Sequence, residues 1–427
     1  MATRVVPLLM MMRRDLPRWL FVSYGGGHVK ALLPVALRVR ELGLASPIYL
    51  ALTTAAPDVR RTGIPTLGFR DLLEPGDQRS REHGMRLAAE LKVHATEYEE
   101  SVAYLGLSYR DLEDSLGPQG ATAEYARYGR QAFLPVPTLR RALDLYKPSL
   151  VVATNSPRAE QAAIHAANQH GTPAVCLVDL LGVWEQALLT QPTYADALCV
   201  LNASVQRRLI EAGRKESQVR VTGNPAFDTI NNVEMRDLGR RYRAQAGWGA
   251  LHVCLYASSP EPEQIPGVAG VGDPALPRRI ESALVAAALK NPHMALWIRR
   301  HPSEVPIDSE RYSHFRIRVS TTDMPLHACI HASDEVIVTT STVGIEASLA
   351  GKSVVQVRGS ILDHLAPYLE MGIARKETKC ESLLTYYCHQ FGEEISAPAV
   401  TTWPNSDDAT GQVVQVLQEV WGNSHDR

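Results

Sequence analysis

Cysteine is scarce in this chain: six residues in 427, at positions 176, 199, 254, 329, 380 and 388, with no C-x-x-C pair. That spacing excludes a disulfide scaffold. Cys176, Cys199 and Cys254 lie inside apolar runs, which suits reduced core thiols and a cytoplasmic, reducing setting. An excess of charge of either sign is lacking too, since 44 Lys and Arg face 46 Asp and Glu for a formal net charge of -2. Such a balance offers no basic field to nucleic acid and no acidic, disordered tail. No apolar run approaches the roughly 18 residues of a membrane span. The apolar stretch at residues 5–12 is short, is followed by Arg13-Arg14-Asp15, and lacks a small-residue cleavage site, so no secretory signal is expected. Peripheral membrane contact stays open. Neither a G-x-S-x-G elbow nor a P-loop occurs, which removes two common hydrolase chemistries. The histidines are read as lacking ligand spacing, and no metal is expected.

What the chain does have is length and a regular alternation. A 45% hydrophobic and 21% charged composition is that of a globular protein, and 427 residues exceed one ordinary domain. Strand-like apolar runs at 19–24, 46–52, 150–154, 174–178, 198–201 and 218–221 alternate with amphipathic stretches. A long, mostly helical segment spans about 77–145, Tyr- and Arg-rich over 104–130. A second series follows the polar helix expected at 235–246, with strands at 251–256, 294–299, 315–319, 335–338 and 354–357. Strands separated by helices of this length predict parallel βαβ units. The expectation is α/β, with two doubly wound Rossmann-like domains, 1–233 and 234–427, facing a central crevice at the carboxyl ends of both sheets. The amphipathic segment 409–420 is a terminal helix free to pack back on the first domain.

Five segments carry chemistry. Ser341-Thr342-Val343-Gly344-Ile345-Glu346 follows a strand and opens a short helix. A turn of small residues there aims hydroxyls and backbone N–H groups at one point, at the positive end of the helix, which suits a phosphate. Glu346, one turn on, is placed to accept hydrogen bonds from vicinal hydroxyls. The alternative is an ordinary βαβ turn with a capping hydroxyl. Gly25-Gly26-Gly27-His28 follows the first strand; three glycines permit close backbone approach, and a helix N-terminus disfavours imidazolium at His28, leaving a base or hydrogen-bond partner. Its spacing is not G-x-G-x-x-G, so a dinucleotide cofactor is disfavoured. Arg299-Arg300-His301-Pro302 ends a second-domain strand, where Arg300 and His301 offer positive groups to a phosphate. Thr222-Gly223-Asn224-Pro225 forces a turn at the domain junction. Asp179 and Glu185 bracket the loop after a first-domain strand, and either is a candidate to deprotonate a hydroxyl. Ser258 and Ser259 follow the first strand of the second domain.

Together these segments resemble the GT-B glycosyltransferase superfamily, with its relatives the hydrolysing UDP-N-acetylglucosamine 2-epimerases and the capsule and surface-polysaccharide transferases. Gly25-Gly26-Gly27-His28 resembles the Gly-Gly-His turn of the lipid II-forming N-acetylglucosaminyltransferase. Thr222-Gly223-Asn224 with Asp228 is similar to the T-G-N-x-x-x-D stretch of the epimerases. Ser341 through Glu346 to Gly351 resembles the S-x-x-x-x-E-x-x-x-x-G donor motif, in which the Glu binds the nucleotide ribose, and His301-Pro302 resembles the HP motif of CMP-sugar-using capsule transferases. The resemblance implies a metal-independent glycosyltransferase that moves a sugar from a UDP- or CMP-sugar to a hydroxyl acceptor, carbohydrate or lipid-linked, in surface-polysaccharide or glycoconjugate biosynthesis. Asp179, His28 and Glu185 would be catalytic. Arg300, His301, Ser341, Thr342, Gly344, Glu346, Ser258, Ser259 and Asn224 would bind the donor. No cofactor is implied, the nucleotide-sugar being substrate, and a homodimer stays open. A hydrolysing UDP-sugar 2-epimerase is the alternative, with Asp179 and His301 at positions similar to that family's catalytic Glu and His, although its G-T-R-P-E opening is replaced here. A non-catalytic nucleotide-sugar-binding protein is the third reading.

Overall fold

A computed structural model describes residues 16–91, 98–265, 268–304, 312, 314–320, 324–389 and 408–425. The apolar stretch at residues 5–12 lies outside them. The chain divides into two compact units, one of residues 1–227 with 408–427, the other of residues 228–407.

In the first unit the order is β1 (Arg18–Ser23), α1 (Gly27–Glu41), β2 (Ser46–Ala51), α2 (Ala55–Arg61), β3 (Thr66–Leu67), α3 (Gln78–Glu90), α4 (Tyr98–Tyr128), α5 (Val136–Tyr146), β4 (Leu150–Thr154), α6 (Ala159–His170), β5 (Ala174–Leu177), α7 (Gln186–Leu189), β6 (Ala197–Val200), α8 (Ala203–Glu211) and β7 (Val219–Val221). The second unit holds α9 (Val233–Gln245), β8 (His252–Ala257), α10 (Leu276–Lys290), β9 (Met294–Arg299), β10 (Ile317–Val319), α11 (Leu326–Ala332), β11 (Glu335–Val338), α12 (Val343–Leu349), β12 (Ser353–Arg358), β13 (Lys376–Lys379) and α13 (Leu383–His389). Helix α14 (Ala409–His425) returns to the first unit.

Two all-parallel sheets result, ordered β3-β2-β1-β4-β5-β6-β7 and β10-β9-β8-β11-β12-β13. Their middle strands are continuous apolar runs because helices cover both faces; Leu150, Val151, Val152 and Ala153 of β4 are fully buried. Each order reverses direction once, between β1 and β4 and between β8 and β11. Such switch points leave a gap at the carboxyl ends of the strands, where α/β sheets take their ligands. The first core gathers Trp19, Phe21, Leu32, Tyr49 and Val152 with Val413 and Leu417 of α14. A separate core in the second unit joins Cys254, Leu284, Leu296, Ile337 and Val355 to Leu383 and Tyr387 of α13.

Two features sharpen the sequence reading and one, the edge strand, departs from it. Within the helical segment 77–145 the described residues form α3, α4 and α5, and α4 is interrupted where Gly117 takes φ 72 before Pro118. Strand β12 does not close the second sheet, because Lys376–Lys379 adds an edge strand whose polar sequence hides it. The turn between the units, Pro225–Phe227, packs against α1 within the first unit.

Candidate active site

The first unit gathers its polar residues at the carboxyl ends of β1, β4 and β5. After β1 the chain turns through Gly25, where an added Cβ would fall 1.9 Å from Thr54 Oγ1, and Gly26, at φ 69. Only glycine fits that approach and that backbone. Helix α1 therefore begins where His28 meets the end of β4. His28 Nδ1 lies 2.7 Å from Thr154 Oγ1; the Thr154 hydroxyl contacts the Glu160 carboxylate; and Glu160 Oε2 is 3.9 Å from His28 Nδ1.

Glu160 is fully buried. It also accepts from the Tyr24 N–H at 2.6 Å and the Ser156 N–H at 3.1 Å. Burial raises its pKa, with His28 and these donors opposing the rise. With Glu160 ionised, the Thr154 hydroxyl donates to it, and the Thr154 oxygen accepts from His28 Nδ1–H. In that protonation state the relay places the His28 proton on Nδ1 and leaves Nε2 as an acceptor.

Asp179 faces the same helix start, since a Cβ built on Gly27 would stand 3.8 Å from its Oδ2. Its backbone N–H donates to Asn155 Oδ1 at 2.6 Å, which ties the loop after β5 to the end of β4. Desolvation raises the Asp179 pKa, while His28 and the Leu180 N–H lower it. Glu185 is raised as well, by burial first and then by the charge of Asp179. The three residues Asp179, Glu185 and His28 thus sense one another, and two carboxyls beside one imidazole are the equipment of acid–base chemistry. Trp184, next to Glu185, is 51% exposed.

Backbone strain marks the same edge. Thr53 (φ 49), Arg158 (φ 73) and Leu180 (φ 51) are three of the five described non-glycine residues with positive φ, and they follow β2, β4 and β5. Strain of this kind costs about 1–3 kcal/mol per residue and persists where surrounding structure enforces it. The Arg158 guanidinium lies 5.0 Å from the Tyr24 ring centroid. A cavity of about 570 Å³ opens here, lined among others by Tyr24, His28, Thr54, Tyr104, Arg130 and Arg158.

In the second unit the polar turns follow β8, β9 and β11. Ser341 and Thr342 open α12, and the Val343 N–H reaches Ser341 Oγ at 3.4 Å. Tyr368 donates its hydroxyl to the Ser341 carbonyl at 2.9 Å. Glu346 is 9% exposed and its Oε2 lies 2.9 Å from His327 Nε2 of α11, so the carboxylate is held in place rather than sealed from every polar group. Ser258 donates to Glu304 Oε1 at 3.0 Å, and Glu304 Oε2 accepts from the His301 N–H at 2.9 Å. Ser259 is half-buried beside Ser258 and His301 is exposed.

Three of the expected donor-binding residues make defined contacts within the chain. Arg300 pairs through Nη2 with both oxygens of Glu281, and both side chains are buried; its Nε and Nη1 are buried with no hydrogen-bond partner among the described residues. Gly344 is a packing glycine, because an added Cβ would lie 2.9 Å from the Tyr368 ring and 2.9 Å from Val338. Asn224 belongs to the first unit, is 7% exposed, and its Oδ1 caps the turn by accepting from the Ala226 N–H at 3.0 Å. The histidine spacing also needs correction. His327 and His331 stand four apart on α11, but His327 turns to Glu346 while His331 Nε2 meets the Ile230 carbonyl at 2.7 Å.

Sequence reasoning missed Thr154, Asn155, Glu160, Tyr368, Glu304 and His327. A polar Thr-Asn-Ser-Pro run at the end of an apolar strand was a usable signal for the first two. Nothing local distinguishes the other four, whose contacts reach from 3 to 136 positions away in sequence.

No protein-family model matches the sequence, and no curated protein matches it either. Solved structures do. S. aureus MnaA in complex with UDP is similar at 13% identity and TM-score 0.57, over 95% of this chain and 97% of that one. UDP-GlcNAc 2-epimerase from Neisseria meningitidis, bound to UDP-GlcNAc, is similar at 12% identity and TM-score 0.56, over 94% of this chain and 100% of that one. MurG of Acinetobacter baumannii is similar at 15% identity and TM-score 0.54, over 94% of this chain and 99% of that one. Likeness at this level of identity speaks to architecture. The chain has the GT-B-like fold, two doubly wound α/β units shared by epimerases and a glycosyltransferase.

Proposed function

We propose that this chain is a glycosyltransferase that moves a sugar from a UDP- or CMP-sugar to a hydroxyl acceptor in surface-polysaccharide or glycoconjugate assembly, in the cytoplasm. The observation that carries the reading is the Asp179 carboxylate at the start of α1, beside a histidine tied through Thr154 to the buried Glu160. In this reading Asp179 takes the proton of the acceptor hydroxyl, and the acceptor oxygen bonds to the anomeric carbon. The bond from that carbon to the phosphate oxygen breaks, and the nucleotide leaves with the electron pair. His28, with Nε2 basic, orients the acceptor or serves as base in its place. Ser341, Thr342 and the N–H groups opening α12 meet the phosphates, where fixed donors stabilise the charge that develops on the leaving group. Glu346, held by His327, accepts from the ribose hydroxyls. Glu346→Ala is expected to weaken UDP or CMP binding by about 10-fold or more, roughly the 1.4 kcal/mol or more that a lost hydrogen bond to a charged group costs; calorimetric titration reads it, and unchanged affinity refutes the donor assignment.

The epimerase reading has its own support. Glu185 places a second carboxyl near Asp179 and His28, as proton transfer on a sugar ring requires, and one of the similar structures above is an enzyme named as a UDP-GlcNAc 2-epimerase. Incubation with a panel of UDP- and CMP-sugars separates the readings. A transferase consumes donor in step with an added acceptor pool, an epimerase releases UDP and an altered sugar without one, and a binding protein shows a melting-temperature shift with no turnover.

A further inference from the structure

Strand β8 begins at His252 and β11 begins at Glu335, and the sheet register sets Glu335 beside Cys254. Residues 252 and 254 share one face of a strand because side chains alternate with period two. Three different ligand types therefore converge at the amino ends of the strands. A His nitrogen, the Cys254 sulfur and a Glu335 oxygen all lie within 4.8 Å of one another. The polar turns Ser258 and Thr339 sit at the other ends of the same strands, so this cluster is separate from the candidate active site.

From this geometry we infer a structural site for a borderline-soft divalent cation of the zinc class, held by His252, Cys254 and Glu335. Imidazole, thiolate and carboxylate are the donor set such an ion selects. Bonds of about 2.0–2.3 Å to one ion set tetrahedral ligand atoms roughly 3.3–3.8 Å apart, so binding draws this cluster, within 4.8 Å as it stands, together. The carboxylate is already oriented from behind. Tyr387 donates its hydroxyl to Glu335 Oε1 at 2.6 Å and Ser353 donates to Oε2 at 3.1 Å, and outer contacts of this kind are what aim a ligating carboxylate. Cys254 is fully buried and Glu335 is 5% exposed, while His252 is half-buried, so the ion and a completing water enter from the histidine side. Binding replaces the Cys254 thiol proton, which is released to solvent. The site ties α13, through Tyr387, to the sheet of the second unit.

The test uses the full chain, stripped with a chelator and titrated with Co2+ as the probe. One equivalent is expected, with a thiolate-to-cobalt charge-transfer band in the near ultraviolet, and Zn2+ is expected to displace it. Cys254→Ser is expected to abolish the band and Tyr387→Phe to weaken binding by about 10–100-fold. Should Cys254→Ser fail to fold by circular dichroism, His252→Ala, at the half-buried position, carries the same test through loss of the one-equivalent binding. Absence of stoichiometric binding overturns the inference, and so does a charge-transfer band that survives in both variants, since the other five cysteines would then be its source.

Discussion

At the residue scale the carboxylate of Asp179 makes stability and activity run in opposite directions with pH. Its folded-state pKa lies above the ordinary value because burial disfavours the charge. Between the ordinary and the raised value the folded chain keeps a proton that the unfolded chain releases. The group therefore favours the fold at low pH, and that contribution fades as pH rises through the window. A base must be ionised, so activity rises across the same window. The acid limb of kcat is expected above the range of an ordinary aspartate. Asp179→Asn is expected to lower kcat by about 10²–10⁴-fold and to raise the melting temperature at neutral pH; a variant that stays active, or one that melts earlier, removes Asp179 from this role. Gly344 gives a purely steric counterpart. Gly344→Ala drives a methyl into Tyr368 and Val338, and a loss of about 1–3 kcal/mol is expected from overpacking, checked by urea denaturation.

Elements explain why some of this architecture was legible in the sequence and some was not. Strands β1, β4, β5, β8 and β9 are apolar runs because both of their faces are covered, and such runs announce themselves at any distance. Strand β13, Lys-Glu-Thr-Lys, has an edge position and needs no apolar residues, so nothing in its composition marked it. The relay of His28, Thr154 and Glu160 was illegible for a different reason. It forms where β1 and β4 pair, across 126 positions between His28 and Thr154, and no local pattern records that pairing. The Arg300–Glu281 pair was illegible because a cation at a strand end reads the same whether it faces a ligand or a buried carboxylate. Helix α14 was visible as an amphipathic segment, while its destination needed the structure. Its Leu417 is fully buried against the first core, so Leu417→Ala is expected to destabilise that unit by about 2–5 kcal/mol, read as an earlier melting transition.

At the scale of the whole molecule, two units with separate cores each carry polar turns at a switch point of a parallel sheet. Separate cores predict two calorimetric transitions rather than one. A UDP- or CMP-sugar at 100 times its Kd is expected to stabilise the unit that holds Ser341 and Glu346 by about 2.7 kcal/mol, moving that transition and leaving the first in place. Movement of the first transition alone would assign the nucleotide to the unit of His28 and Asp179.

The return of α14 to the first unit has a consequence for synthesis. The ribosome releases residues 1–227 early, yet the Trp19 side of their core stays open until residues 409–425 follow. The later-made second unit has all of its strands before that helix exists. The half begun first is thus the half finished last, and during translation it is the part that a chaperone would find with apolar surface bare.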